Sequence, residues 1–245
     1  MPSRRAWAAI ILLFFGLVLW RLPAHWLAGA LPANVRCEDA SGTVWAGQCA
    51  QLAAVGVVLQ QVSWKLTPAE LLHARIGGRL RIDDARLQAE GQLSLGRGGD
   101  VQASAASARL MLPNSLASAV PAGWSGQVQL QIDRAHLQQY RIIELLGRVQ
   151  LTDLRQRQPL AEMGGYELLF APGAAHGDVV DGTVRNLDGP LTLAGTLRLR
   201  PPGAYEFDGK VAVTAAASEE LRRLVEQMGP ADAQGQRVVS VAGTL

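Results

Sequence analysis

Several features that define common classes of protein are scarce in this 245-residue chain. Aromatic residues make up 5% of the sequence, so it offers few stacking platforms for nucleic-acid bases or sugars. Two cysteines and four histidines leave little material for a zinc framework. Neither sign of charge dominates, because 23 lysines and arginines are set against 21 acidic residues. This balance argues against a nucleic-acid partner, which would require a concentrated basic surface.

Sequence motifs of catalysis are also missing. The segment Gly123-Trp124-Ser125-Gly126 does not complete the G-x-S-x-G pattern, and no glycine-rich segment continues into the Lys-Ser/Thr of a phosphate loop. No H-x-x-x-H pair and no carboxylate at metal-ligand spacing accompany the histidines, which are His25, His73, His136 and His176. We therefore predict no catalytic residue, no bound metal and no cofactor, and we expect the chain not to be an enzyme.

A hydrophobic run near the N-terminus is the first positive signal. Arg4 and Arg5 precede an uncharged stretch, residues 6–20, that ends at Arg21 and carries a tryptophan near each end. Fifteen helical residues extend about 22 Å, short of the roughly 30 Å hydrocarbon core, but arginines that snorkel at both ends make up the difference. Since no face of the run is polar, we predict a membrane span, with the basic residues before it in the cytoplasm.

This membrane span sets the expected domain limits. Residues 1–5 form a cytoplasmic tip, 6–22 a transmembrane signal anchor, 23–40 a linker and 41–245 an exported β-rich domain. A cleaved signal peptide is the alternative, because Ala28-Gly29-Ala30 offers the small residues of a cleavage site. Both interpretations export the chain that follows the apolar run.

From residue 41 onward one short pattern recurs: a glycine, a polar residue, an apolar residue, then alternation. In residues 126–132 it places Val128, Leu130 and Ile132 on one face and three glutamines on the other. Such alternation predicts strands with one face on a core and one face toward water, and we expect the glycines to mark turns or bends between them. Further copies begin at Gly42, Gly78, Gly91, Gly147, Gly182, Gly195, Gly209 and Gly243.

Helical signals are few. Thr67-Pro68 followed by Glu70 predicts one or two turns, and residues 218–228 form the clearest helix, with acids at the start and Gly229-Pro230 at the end. Strands and helices do not alternate as they do in a parallel α/β fold. We therefore predict a mainly β fold: an N-terminal transmembrane helix followed by an extended, curved antiparallel sheet or half-barrel with one or two short helices.

Cys37 and Cys49 enclose a 13-residue segment of the exported part of the chain. In an oxidising compartment the two thiols are expected to form a disulfide, which loop-entropy arguments value at about 3 kcal/mol. Because there is no C-x-x-C motif, we expect a structural role and not a redox role.

Two tryptophan-bearing segments indicate a family. The first is SGTVWAG, residues 41–47, an expected strand with Trp45 in its centre. The second is VSWKLTP, residues 62–68, in which an expected strand carries Trp64 into a proline-started turn before Leu71-Leu72. With a short N-terminal anchor and a length of about 250 residues, the chain resembles protein N of the bacterial type II secretion system.

The resemblance implies a single-pass inner-membrane protein whose bulk lies in the periplasm. It implies a non-enzymatic part of the machine that exports folded proteins across the outer membrane, with other secretion subunits as partners. Anchored β-rich envelope proteins linked to lipid handling are also similar, so a lipid-binding or lipid-transfer groove is the alternative function. Trp45 and Trp64 either pack in the core or present an aromatic contact to a partner.

Overall fold

Antiparallel β-structure makes up most of the computed structural model, which describes residues 18, 20–29, 35–54, 57–112, 123–139, 141–157, 160–201 and 203–244. The strands are β1 (Val35–Glu38), β2 (Ser41–Gly42), β3 (Ala46–Ala54), β4 (Val57–Leu66), β5 (Ile76–Asp83), β6 (Leu87–Leu95), β7 (Val101–Leu112), β8 (Trp124–Gln138), β9 (Arg141–Arg157), β10 (Leu160–Phe170), β11 (Ala175–His176), β12 (Val179–Asp188), β13 (Leu191–Arg200), β14 (Ala204–Val213) and β15 (Arg237–Thr244). The helices are α1 (Ala24–Gly29), α2 (Pro68–Leu71) and α3 (Glu219–Glu226), with one 3-10 turn at Arg97–Gly99.

All fifteen strands belong to a single open sheet. Thirteen of them lie side by side in chain order, from β1 at one edge to β15 at the other, while β2 and β11 pair to one side with β3 and β12. Every pairing is antiparallel, as short connections between successive strands require. The prediction of a mainly β, antiparallel fold with few short helices is thus confirmed.

The alternation in the sequence divides the sheet into an apolar and a polar face. Residues directly opposite each other on paired strands share a face, so a row of partners can be followed across the sheet. One row from β4 to β15 is apolar or glycine throughout: Val62, Ile82, Ala89, Ala108, Leu130, Val149, Leu168, Val184, Gly195, Gly209 and Val239. The adjacent row is polar except at Leu169: Ser63, Arg81, Glu90, Ser107, Gln131, Arg148, Leu169, Thr183, Thr196, Asp208 and Ser240.

Several glycines, including the recurring Gly182, Gly195 and Gly243, lie inside strands beneath aromatic rings and not at the turns expected for the recurring glycines. A Cβ built on Gly47 would lie 2.6 Å from Cζ2 of Trp64, and one on Gly182 would lie 2.9 Å from Cε1 of Phe170. Phe207 and Tyr205 of β14 lie in the same way against Gly195 of β13 and Gly243 of β15. A ring can lie flat across the neighbouring strand only where that strand has no side chain, which accounts for glycine at these positions.

The two buried clusters are both on the apolar side of the C-terminal strands. Helix α3 supplies Leu221 to the first, where it packs against Ala161, Met163, Tyr166 and Ala217. The second cluster contains Phe170, Ala174 and Val180. Ser218 begins α3 by accepting a hydrogen bond from the Leu221 amide at 3.3 Å, so the helix expected over 218–228 is confirmed at 219–226.

The first described residues of the chain fall in the expected linker and at the end of the expected anchor. The expected linker, residues 23–40, contains α1 and the edge strand β1, because β1 pairs with β3 through four residues. The expected anchor, residues 6–22, lies almost entirely outside the described residues. Among the residues that the structure describes, no helix has the length and apolar character needed to cross a membrane.

Candidate functional site

The two cysteines join β1 to β3 at the first edge of the sheet. Their sulfur atoms form a disulfide, and the Cα atoms of Cys37 and Cys49 are 5.7 Å apart. Cys49 is buried, whereas Cys37 is half-buried. Since β1 contributes only four residues to the ladder, the covalent bond ties down a strand that few hydrogen bonds hold.

The segment 41–47 is a tight hairpin and not the expected strand with a central tryptophan. Ser41 pairs with Gln48 and Gly42 with Gly47, and the chain turns between them. The Thr43 amide donates to the Ala46 carbonyl at 2.9 Å, and the Thr43 hydroxyl accepts from the Ala46 amide at 3.1 Å. Gly42 has a φ of +90°, which glycine adopts at little cost and which allows the reversal.

Trp45 and Trp64 meet at a corner where the hairpin, β4 and the start of the described chain come together. The Trp64 indole N–H donates to the Val44 carbonyl at 2.9 Å, and the Leu66 amide donates to the Trp45 carbonyl at 2.7 Å. The Val44 amide in turn donates to the Leu22 carbonyl at 2.9 Å. We call these residues, Leu22, Val44, Trp45, Trp64 and Leu66, the entry corner. Both tryptophans are half-buried; Trp64 contributes its indole N–H to this corner, and Trp45 contributes its backbone carbonyl.

A hollow of about 840 Å³ opens on the polar side of β4–β9, next to the entry corner. Charged and polar side chains make most of its wall. The ionisable residues that line it are Lys65, Glu70, Arg75, Arg79, Arg134, His136 and Glu144. A second hollow of about 540 Å³ lies on the same side of the sheet and is lined by Arg81, Glu90, Arg109, Gln129 and Arg148 among others.

A network of three ionisable groups supports the wall of the larger hollow. One carboxylate oxygen of Asp100 lies 2.8 Å from Nη1 of Arg75, and the other lies 2.8 Å from Nε2 of His136. Arg75 also donates through Nε to the Ser94 hydroxyl at 2.9 Å. Burial opposes ionisation of Asp100, but the hydrogen bonds from His136 and Arg75 outweigh it and hold the pKa of its carboxyl below the usual value.

Glu167 is the only charged residue that is buried in the described part of the chain. Its carboxylate accepts a hydrogen bond from the Gln150 amide at 2.9 Å and forms an ion pair with Arg185. The bond from Gln150, aided by the Arg185 guanidinium, lowers the pKa of Glu167 in spite of its burial. These partners compensate the buried charge, so Glu167 links β10 to β9 through Gln150 and to β12 through Arg185.

The C-terminal edge of the sheet is formed by β15, which is paired on one side only among the described strands. Strand β15 pairs with β14 along all eight of its residues, and no described strand pairs with its other side. Its sequence, RVVSVAGT, contains neither lysine nor proline, the residues that commonly protect edge strands. Val238 is 72% exposed and Val241 is 45% exposed. After Arg237 the strand carries no charge, and an edge strand with free backbone groups is a template for pairing with another chain.

Sequence analysis did not identify either the hollow or the free edge. Arg75, Asp100 and His136 are far apart in the sequence and carry no shared motif. The only signal for the edge was the pattern at Gly243-Thr244-Leu245, which marked a last strand without showing that it would lie at an edge. Among the described residues, no group of three or more His, Cys, Asp or Glu side chains is placed to hold a metal ion.

Comparisons with known proteins match nearly the whole chain. The family model described as type II secretion system (T2SS), protein N, matches residues 17–240. A type II secretion system protein N from Pectobacterium carotovorum subsp. carotovorum is 27% identical over 248 residues, covering 96% of this chain and 95% of that protein. Another from Aeromonas hydrophila is 24% identical over 258 residues, covering 97% of each. No solved structure matches the chain.

Proposed function

The chain belongs to the type II secretion system protein N family, and we propose that it is an inner-membrane-anchored scaffold whose sheet lies in the periplasm and binds another secretion subunit. Membership makes it a component of the secretion machinery. The anchor, the compartment and the mode of binding are our proposal. The exposed, unprotected edge of β15 is the observation that supports it.

The proposed mode of binding is addition of a strand. An extended segment of another secretion subunit would pair with the free side of β15 and continue the sheet. Eight residues rise about 27 Å, enough for a ladder of several main-chain hydrogen bonds that require no special side-chain motif. Val239 and Val241 on one face and Val238 on the other would provide apolar contacts to alternate side chains of the added strand.

A photo-crosslinking amino acid at Ser240 tests this mode in cells that carry the secretion system. We expect a covalent product with an identified secretion subunit, and we expect Val238→Lys to reduce both that product and export. A charge on an edge strand disfavours pairing. Ser107→Lys is the matched control, because Ser107 is exposed on the central strand β7. Failure to form any product with a secretion subunit, together with normal export by Val238→Lys, would reject the β15 proposal.

The proposed anchor has its own test. Two arginines followed by fifteen uncharged residues support an uncleaved span over residues 6–22. Intact mass measurement of membrane-extracted protein should give 26.1 kDa, and a reporter active only outside the cytoplasm should work when fused after residue 244. A mass that corresponds to a chain beginning after Ala30 would show that the N-terminal segment is a cleaved signal peptide and not an anchor.

A further inference from the structure

Two cations in the wall of the larger hollow have no acidic partner among the residues that the structure describes. Lys65 on β4 and Arg79 on β5 are directly opposite each other, and both are exposed on the polar side of the sheet. Side chains opposite each other in an antiparallel pair have Cβ atoms about 5 Å apart, so like charges there destabilise the sheet. No carboxylate of the described residues lies within 4 Å of either charged group, although both line the hollow.

The other ionisable groups around the hollow are already engaged. Arg75 is paired with Asp100 at 2.8 Å and Arg134 with Glu144 at 3.4 Å. Glu70, the remaining carboxylate in the wall, accepts a hydrogen bond from the Ser94 hydroxyl at 3.4 Å. Among the described residues, Lys65 and Arg79 are therefore the two cations of the wall without an ion-pair partner, and Glu70 is the one carboxylate of the wall without one.

From this arrangement we propose that the hollow binds a phosphate group through Lys65 and Arg79. A guanidinium and an ammonium side by side suit the several oxygens of a phosphate, since arginine binds them in a fork and lysine as a point charge. A volume of about 840 Å³ exceeds what a free anion needs. The hollow therefore has room for a larger phosphate ester as well.

The position of the hollow indicates where such a ligand would come from. Lys65 precedes Leu66, whose amide bonds to Trp45, and the neighbouring Val44 bonds to Leu22 at the end of the expected span. If residues 6–22 cross the membrane, as proposed above, the two cations lie near the headgroups of the outer leaflet of the inner membrane. The inference that the ligand is a lipid depends on the proposed anchor, whereas the inference of a phosphate site depends on the side chains alone.

Binding measured on the full chain in a non-ionic detergent tests the site without requiring the anchor to be correct. The probes are soluble dihexanoyl phosphatidylglycerol, inorganic phosphate and an octaglutamate peptide. We expect the phosphatidylglycerol to bind, and we expect Lys65→Gln and Arg79→Gln each to weaken it at least about tenfold, the value of a charge-assisted hydrogen bond. Arg97→Gln, which removes an exposed charge outside the hollow, should leave the affinity unchanged.

A second measurement separates loss of the site from loss of the fold. Because Lys65 and Arg79 repel each other, either substitution should leave the melting temperature unchanged or raise it while affinity falls. If inorganic phosphate binds as tightly as phosphatidylglycerol, the phosphate site is supported and its ligand is a free anion. Binding of the octaglutamate peptide alone would overturn the proposal, as would phosphatidylglycerol affinity that is the same in Lys65→Gln, Arg79→Gln and the unsubstituted chain.

Discussion

The strands before residue 113 and those after residue 160 share one sheet and one alternation, but different forces hold them. Ten of the fourteen buried apolar residues in the described part lie between 161 and 225, whereas the earlier strands contribute Cys49, Val62 and Leu112. The N-terminal strands instead have a disulfide, the entry corner and the network around Asp100. A region stabilised by specific bonds rather than by burial can leave its polar side open and charged, and that is where the larger hollow lies.

The largest effect is expected from a cavity under α3. Leu221 is 2% exposed and contacts the first buried cluster, so Leu221→Ala should lower the free energy of unfolding by about 2–5 kcal/mol. Urea denaturation of the full chain in detergent measures it. Leu224→Ala, on the same helix but 38% exposed, should cost far less. Equal costs for the two variants would mean that α3 does not pack as the structure shows.

In the N-terminal strands, the disulfide should make the corresponding large contribution to the free energy of unfolding. Replacing both Cys37 and Cys49 by serine should destabilise the chain by about 3 kcal/mol, because the unfolded state regains the entropy of a 13-residue loop. The loss should appear first as faster hydrogen exchange of β1 and β3. Exchange that accelerates instead in β13 and β14 would show that the two regions do not differ in the way described.

The packing of the Trp64 ring over Gly47 gives a second test of the N-terminal strands. Gly47→Ala should cost about 1–3 kcal/mol, since the new Cβ would lie 2.6 Å from Trp64 Cζ2 and 2.9 Å from the carbonyl oxygens of Ser41 and Thr43. Thermal melting measures the change. Gly29→Ala is the control, because no atom lies within 4 Å of the Cβ it would add. A melting temperature unaffected by Gly47→Ala would argue against the tight entry corner.

The smallest effect should depend on pH. The pKa of Asp100 is lower in the folded chain than its ordinary value of 3.8, so the ionised carboxylate stabilises the fold at neutral pH. That contribution is lost as the pH falls below about 4 and through the folded pKa. The difference in melting temperature between the wild type and Asp100→Asn should therefore shrink in acid.

A carboxylate outside the network provides the comparison for this pH effect. Asp83→Asn removes an exposed carboxylate with only a 3.7 Å contact to Arg81, and its melting temperature should stay close to wild type throughout. If the difference between the wild type and Asp100→Asn stays constant from pH 7 to pH 3, ionisation of Asp100 does not support the hollow.

Local sequence determined much of the fold. The alternation at 126–132 placed Leu130 and Gln131 on opposite faces, and the cap, acidic start and Gly-Pro stop delimited α3 within two residues at each end. These features depend on neighbours in the chain and on backbone geometry. The tryptophan segment 41–47 was misjudged because its residues have strand propensity, while Gly42 and the Thr43 hydroxyl favour a turn that alternation does not reveal.

By itself, the sequence determined an antiparallel sheet with one polar and one apolar face, because polar and apolar residues alternate along each strand with a period of two. Only the tertiary structure decided that Lys65 is opposite Arg79, that Arg75, Asp100 and His136 meet, and that β15 has a free side. Register and strand order arise from contacts between distant segments, and a shift of one residue would move strand side chains such as Lys65, Arg79 and His136 to the other face.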